Sequence, residues 1–273
     1  MIKIKKILSK HFPELAAAYH SFQFSREMKK VPVCKTPFGF LLAGHSRMQL
    51  GTFEPDETKL MQNLAPELDV FIDVGANIGY FVCLMRSLNK YVVAIEPVKH
   101  NLDYVFTNLK MNNWHDVEVF PVGLAEQPNI LEIFGGGTGA SLISNWSGTS
   151  TVLRSTIPIN TLDNIVGQRF SGKRLLIKID VEGVEYEVIK GAINTLKMYP
   201  APKWLVEICL TEHHPQKCNP NYVKIFETFF EQGYSACVAD NTMRPVTLSD
   251  VKHWYEKRER NFGGINYIFE KKL

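Results

Sequence analysis

Residues 71–81 read FIDVGANIGYF. An apolar run ends at Gly75, and Gly79 follows four residues later. A glycine directly after a strand lets the backbone turn tightly and lets a ligand come close. Ile78, Phe81, Val82, Met85 and Leu88 then recur at helical spacing. Strand, glycine turn and helix N-terminus together form an α/β ligand-binding unit, with free N–H groups facing the turn.

The same alternation continues downstream. Residues 91–97 (YVVAIEP) read as a second strand, and Leu102, Val105, Phe106 and Leu109 mark a second helix. Residues 117–124 (VEVFPVGL) read as a third strand, with 129–137 (NILEIFGGG) as an excursion beside it. Residues 174–180 (RLLIKID) make a fourth strand, followed by a helix through Val184, Val188, Ile189, Ala192 and Ile193. Residues 203–210 are a fifth strand, and a helix over 221–232 stops at Gly233. The last two strands fall at 234–240 and 265–272. Strands apolar on both faces, alternating with helices, mean a mostly parallel sheet covered on two sides. No helix-sized apolar pattern separates the last two strands, so an antiparallel edge pair is expected there.

Upstream, residues 31–50 suggest one or two short strands around a Pro-Phe-Gly turn, and Pro55 opens a helix. Residues 1–65 therefore read as an N-terminal extension of helix and strand, and 66–273 as the ligand-binding domain. The first 22 residues are basic, with Ile4, Ile7, Leu8 and Phe12 on one helical face. A helix packed on the domain is the plain expectation. Peripheral membrane contact through residues 1–20 is the sharper one.

The bulk composition narrows the function class. The chain has 273 residues, 45% hydrophobic and 22% charged, which is ordinary globular composition. A net charge of +3 without a basic, aromatic-studded stripe argues against a nucleic-acid partner. Five scattered cysteines give neither a disulfide framework nor a zinc site, which fits a reducing, cytoplasmic setting. No apolar run is long enough to span a bilayer.

Candidate site residues cluster at the carboxyl ends of the strands. Glu96 closes the second strand, where a carboxylate accepts both hydroxyls of a ribose. The spacing Gly75-x-x-x-Gly79 lacks the central glycine that lets a pyrophosphate approach in dinucleotide folds. S-adenosylmethionine, which has no phosphate, fits better, with Asp73 at the strand end near its methionine moiety. Asp180 ends the fourth strand and Glu182 lies two residues on. Either carboxylate could accept a proton, hold the cofactor's ammonium or cap the following helix. Glu185 and Glu187 read as solvated helix residues. Glu207 closes the fifth strand, and His213 and His214 follow in a loop at the same edge, where His213 is a candidate general base. A divalent metal on Asp180, Glu182, Glu207 and His213 is not favoured, because no ligand spacing demands it. Replacing Asp180 with Ala is expected to abolish turnover and spare the fold.

These segments carry a resemblance. FIDVGANIGYF, AIEP, PVGLAE, GGGTGASL, INTLDNI and LLIKIDVEGVEYEVIKGA, in that order, resemble the FkbM family of S-adenosylmethionine-dependent methyltransferases. The likeness runs from about Phe53 to Glu207. It implies a class I methyltransferase (Rossmann-like) fold, an α/β seven-stranded, mostly parallel sheet whose last strand is antiparallel. It also implies methyl transfer to a hydroxyl of a sugar, glycolipid or other secondary metabolite. By matching position, Gly75, Asn77 and Gly79 would line the methionine half of the cofactor, Glu96 would hold the ribose, and Gly123 and Leu124 would border the adenine. Two alternatives compete: a nicotinamide-dependent oxidoreductase and a non-catalytic methyltransferase-like binding module. The glycine spacing and the lack of a Tyr-x-x-x-Lys dyad weigh against the first, and the intact glycines and acids against the second.

Overall fold

The computed structural model describes residues 32–149 and 151–271, so the expectations for residues 1–20 lie outside the described residues. The described chain opens with an antiparallel hairpin, β1 (Val33–Lys35) and β2 (Leu41–Ala43), around the Pro-Phe-Gly turn. A short helix α1 (Ser46–Gln49) precedes α2 (Pro55–Leu64), which starts at the proline as its fixed φ requires. Then come β3 (Val70–Val74), α3 (Tyr80–Ser87), β4 (Tyr91–Ile95), α4 (Lys99–Met111) and β5 (Glu118–Phe120). A small sheet follows, built from β6 (Gly123–Leu124), β7 (Asn129–Phe134) and β8 (Arg154–Asn160). The chain returns through α5 (Leu162–Val166), β9 (Leu175–Ile179), α6 (Glu185–Lys190), β10 (Lys203–Glu207), α7 (Tyr222–Glu231) and β11 (Ser235–Val238). It ends with β12 (Pro245–Val246), α8 (Leu248–Lys257) and β13 (Asn266–Glu270).

The main sheet runs in the order β12-β11-β13-β10-β9-β3-β4-β5. Its β3, β4, β5, β9 and β10 pair in parallel, and β13 inserts antiparallel between β10 and β11. This is the class I methyltransferase arrangement. It has an eighth strand beyond the expected seven: β12 is two residues long and pairs antiparallel to β11.

Alternation along each strand sends its side chains to two different cores. Val70, Ile72, Val74, Ile177, Ile179, Trp204 and Val206 pack with α5, α6, α7 and α8 on one face. Phe71, Leu176 and Leu205 pack on the other face with Met61 of α2 and the apolar side of α3. Phe40, Leu42 and Ala43 share this second core. The hairpin is tied there by Asn108 of α4 and Asn112, its C-cap. Asn108 Oδ1 accepts the Ala43 N–H at 2.7 Å and Asn112 Oδ1 accepts the Leu41 N–H at 2.8 Å, as a neighbouring strand would.

Three expectations need correction. The apolar run 117–124 is two strands, because Pro121 cannot continue the ladder: β5 stays in the main sheet and β6 pairs with β8. The excursion at 129–137 pairs with β8, which has no counterpart in the expected strands. A helix, α8, does separate the last two strands. Its start is a capping box in which the Thr247 side chain accepts from the Asp250 N–H and Asp250 from the Thr247 N–H.

Candidate active site

An open cleft of about 590 Å³ lies at the carboxyl edge of β3, β4 and β9. Gly75, Asn77, Glu96, Gly123, Leu124, Asp180 and Glu182 all line it. Seven sequence-derived site residues therefore meet in one place. Asp73 and Gly79 are not among the lining residues. Asp73 is buried within β3, two residues before Gly75, and Gly79 caps α3 with Val105 3.2 Å from where a Cβ would stand. His213 lies outside the lining too, in the loop after β10. Its carbonyl accepts the Ser147 N–H at 2.8 Å and its ring packs 6.2 Å from that of Trp146.

Gly75 has a physical reason to be glycine. Its φ is +86°, and an added Cβ would sit 1.8 Å from the carbonyl oxygen of Asp180. The backbones after β3 and β9 thus touch directly, and the floor of the cleft is main chain.

Glu96 is gripped at one edge of the cleft. Its Oε2 accepts the Asn77 N–H at 2.8 Å, and its Oε1 accepts the Val98 N–H at 2.8 Å and Asn101 Nδ2 at 3.2 Å. Asn77 reaches this bond by taking φ +52°. Oε1 is filled by its two donors, and Oε2 keeps a further lone pair for an outside donor. Burial pushes the Glu96 carboxyl up to about 7, against the pull of these three donors.

The opposite edge is acidic. Asp180 Oδ2 accepts from Lys178 Nζ at 2.7 Å, and the Lys178 side chain is only 4% exposed. Burial works against the Lys178 ammonium, but the charges of Asp180, Glu57, Glu54 and Asp73 hold its pKa well above the ordinary value. Burial, reinforced by Asp180, pushes Glu182 up to about 7, while the Trp146 Nε1–H donated to Glu182 Oε2 at 2.6 Å pulls it down. Burial also carries Asp73 to about 7, with one oxygen unpartnered. Glu185, expected to be solvated, is 3% exposed; its Oε1 accepts the Gly183 N–H at 2.8 Å, and burial carries it to about 7. Glu187 is an ordinary surface acid, paired with Lys190.

Between these edges the wall is apolar. Ile133, Ile157, Leu124 and Leu142 line it from β6, β7, β8 and the glycine-rich segment that follows β7. This gives the inserted sheet a role: it closes the cleft with a flat greasy face of the kind an aromatic ring needs. The segment itself spans both edges. Gly137 O accepts from Asn101 Nδ2 at 3.2 Å, and Ser141 Oγ donates to the Glu182 carbonyl at 2.6 Å. Sequence reasoning passed over Lys178, Asn101 and Trp146. A lysine inside an otherwise apolar central strand was the available signal for the first. Among the described residues, no group of three or more His, Cys, Asp or Glu is arranged to hold a metal ion. No described helix is long and apolar enough to cross a membrane.

Comparison with known proteins decides the family. The model of the methyltransferase FkbM domain matches residues 73–236, more than half of the chain. The protein belongs to the FkbM methyltransferase family. Among relatives, it is similar to hexuronic acid methyltransferase AglP of Haloferax volcanii, 31% identical over 146 residues. That match covers 53% of this chain and 58% of AglP, so the chain spans little more than half the length of that relative. Among solved structures, a SAM dependent methyltransferase from Agrobacterium tumefaciens is 7% identical, with 85% of this chain and 66% of that one covered and a TM-score of 0.44. TYW2 of M. jannaschii, solved with AdoMet, is 12% identical, with 85% and 82% covered and a TM-score of 0.39. The FkbM match begins at Asp73, within β3. The hairpin and α2 precede it, and β12, α8 and β13 follow it.

Proposed function

We propose that this protein transfers a methyl group from S-adenosylmethionine to a hydroxyl oxygen, with a carbohydrate as the preferred acceptor class. The observation that carries the reading is Glu96. Its carboxylate is fixed by two backbone N–H groups and an amide at the edge of a glycine-floored cleft, with a lone pair left on Oε2. That is an acceptor for a hydroxyl such as a ribose presents. The residues present fit the rest of the cofactor. Leu124, Ile133 and Ile157 offer an apolar slot for adenine, and Asp180 and the bare backbone at Gly75 face the amino-acid end. The likeness to AglP supports a sugar acceptor.

Bound there, S-adenosylmethionine would supply a methyl carbon on a sulfonium, to which the acceptor oxygen would bond in line as the C–S bond breaks, the thioether leaves and the hydroxyl proton passes to a base. The chain's share is alignment and acceptance of that proton. Glu182 suits the second task, because a carboxyl held near 7 takes up a proton close to neutral pH. Asp180 is engaged by Lys178 and serves as a fixed negative charge at the cleft floor.

Calorimetric titration with S-adenosylmethionine and S-adenosylhomocysteine, against NAD⁺ and NADP⁺, tests the reading. Micromolar binding of the sulfur ligands alone is expected, and at least tenfold weaker binding after Glu96→Gln. Binding of the nicotinamides alone would instead return the oxidoreductase reading. No binding of any would point to a non-catalytic module.

A further inference from the structure

A second cavity, of about 440 Å³, opens at the same carboxyl edge of the sheet. Its lining comes from the first turn of α2 (Glu54, Pro55, Asp56, Glu57), the end of β11 (Val238, Ala239, Asp240) and the entry to β13 (Gly264, Asn266). All of these except Glu54, Asp56, Asp240, Glu57 and Asn266 are apolar or small, and none of the nine falls within the FkbM match.

Glu57 is the decisive residue. It is 5% exposed. Its Oε1 accepts from Asn266 Nδ2, while its Oε2 is buried with no hydrogen-bond partner. Glu54 stands within hydrogen-bonding reach of it, and the Oε2 of Glu54 is likewise buried without a partner. Burial raises both carboxyls, Glu57 well above its ordinary value, so a proton held on Glu57 is shared with Glu54, and donors from outside are left the remaining lone pairs. The buried cation of the cluster, Lys178, makes its hydrogen bond to Asp180. Buried acceptors are costly until a shared proton or a ligand's donors serve them, and a shared proton serves only one lone pair on each carboxyl.

The cavity also joins the cofactor cleft in charge and in register. Asp180, which lines the cleft, acts electrostatically on both Glu54 and Glu57. Glu207, which ends the strand next to that of Asp180, stands directly opposite Asn266. A molecule seated on Glu57 and Asn266 therefore lies along the strand ends that lead to Asp180.

We propose that this cavity seats the methyl acceptor by its hydroxyl groups, and that the acceptor part it takes is an uncharged sugar ring. A polyol supplies several O–H donors and no charge. A uronic acid would bring a carboxylate, an acceptor with no donor, to a lining already rich in acceptors at Glu54, Asp56, Glu57 and Asp240. The inference rests on the reading of the neighbouring cleft as the S-adenosylmethionine site, and it sets this chain apart from a relative named for a hexuronic acid.

The test is saturation-transfer difference NMR on the full chain with saturating S-adenosylhomocysteine. The probes are methyl glucoside, methyl galactoside, methyl glucuronide and methyl glucosaminide, offered together. Signals from the neutral glycosides and none from the glucuronide are expected, and Glu57→Leu should weaken the neutral signals by about tenfold or more. Glu57→Gln, which keeps the shape, replaces that variant where it fails to fold. S-adenosylhomocysteine titration of each variant reports that the fold and the cleft are intact. The proposal is overturned if no neutral glycoside gives a signal, if a charged glycoside binds equally well, or if neutral binding survives both variants. Failure of the wild type to bind S-adenosylhomocysteine would sink the cofactor reading itself, and the sugar site with it, by a readout of its own.

Discussion

A lysine on a central strand is an expensive residue. Lys178 sits opposite Asp73 of β3 and Leu205 of β10, with Phe81 under its ammonium, and its charge survives because carboxylates surround it. Burial of an ammonium is tolerable only while its partner stays charged and bonded. This changes what a substitution at Asp180 reports. Asp180→Ala strips the 2.7 Å partner from a buried cation and is expected to cost about 3–5 kcal/mol of stability, the scale of an orphaned buried charge. A loss of turnover in that variant would therefore not identify a base. Lys178→Met combined with Asp180→Ala should recover most of the stability, a coupling that a double-mutant cycle in urea measures directly. If Asp180→Ala alone unfolds at the wild-type urea midpoint, the pair is not the keystone described here. Glu182→Gln, with no buried cation to orphan, is the cleaner probe of proton acceptance.

At the scale of elements, the glycine-rich segment between β7 and β8 works as a strap, and one tryptophan fastens it. Trp146 is fully buried, donates to Glu182 Oε2 at 2.6 Å and packs against Gly183, where an added Cβ would lie 2.4 Å from its ring. Trp146→Phe keeps most of the ring but removes the donor. S-adenosylhomocysteine is expected to bind about tenfold more weakly to it, since a lost bond to a partly charged acceptor costs about 1–3 kcal/mol. Unchanged affinity by calorimetry would mean the strap does not set the cleft. This element also marks the limit of what the sequence discloses. The βα units were legible because each carries its own signal: an apolar run, Gly75 or Glu96 at the strand end, and a 3.6-residue stripe beyond. Gly75, Glu96 and Asp180 followed from those signals, whereas Asn77 and Gly123 came only from the family resemblance. β8 was not legible because Pro158 breaks up Arg154–Asn160 and reads as loop, although Ile157 and Ile159 alternate as in a half-buried strand. α8 was missed because its apolar residues are few, although Thr247 and Asp250 announce its start. Glu54 and Glu57 look like ordinary first-turn acids of α2, and only the tertiary packing of that helix over the sheet edge buries them.

The whole molecule concentrates its electrostatic strain in one place, and that strain has a measurable sign. Asp73, Glu96, Glu182 and Glu185 all rise to about 7, chiefly because burial penalises their charged forms. A carboxyl raised from about 4 in the unfolded chain to about 7 in the folded one holds more proton when folded between those values. Its favourable contribution is complete below the unfolded value and is lost as pH climbs through 7. Surface acids such as Asp69, which Arg174 draws down to about 2, act the other way, but their window lies below pH 4. His100, which burial lowers to about 4, loses stability as pH falls below 6.5 and so opposes the carboxyls only there. From pH 6.5 to 8.5 the carboxyls act with nothing among these groups against them, and the ligand-free protein should lose on the order of 5 °C in Tm over that span. S-adenosylhomocysteine should stabilise more at the upper end, because the ionised Glu96 is the better acceptor of a ribose hydroxyl, and Glu96→Gln should flatten part of the slope. Differential scanning fluorimetry across that range, with and without the ligand, decides the matter. A Tm that stays level without ligand would show that these carboxyls are ionised and solvated, and that the cleft is wetter than its packing implies.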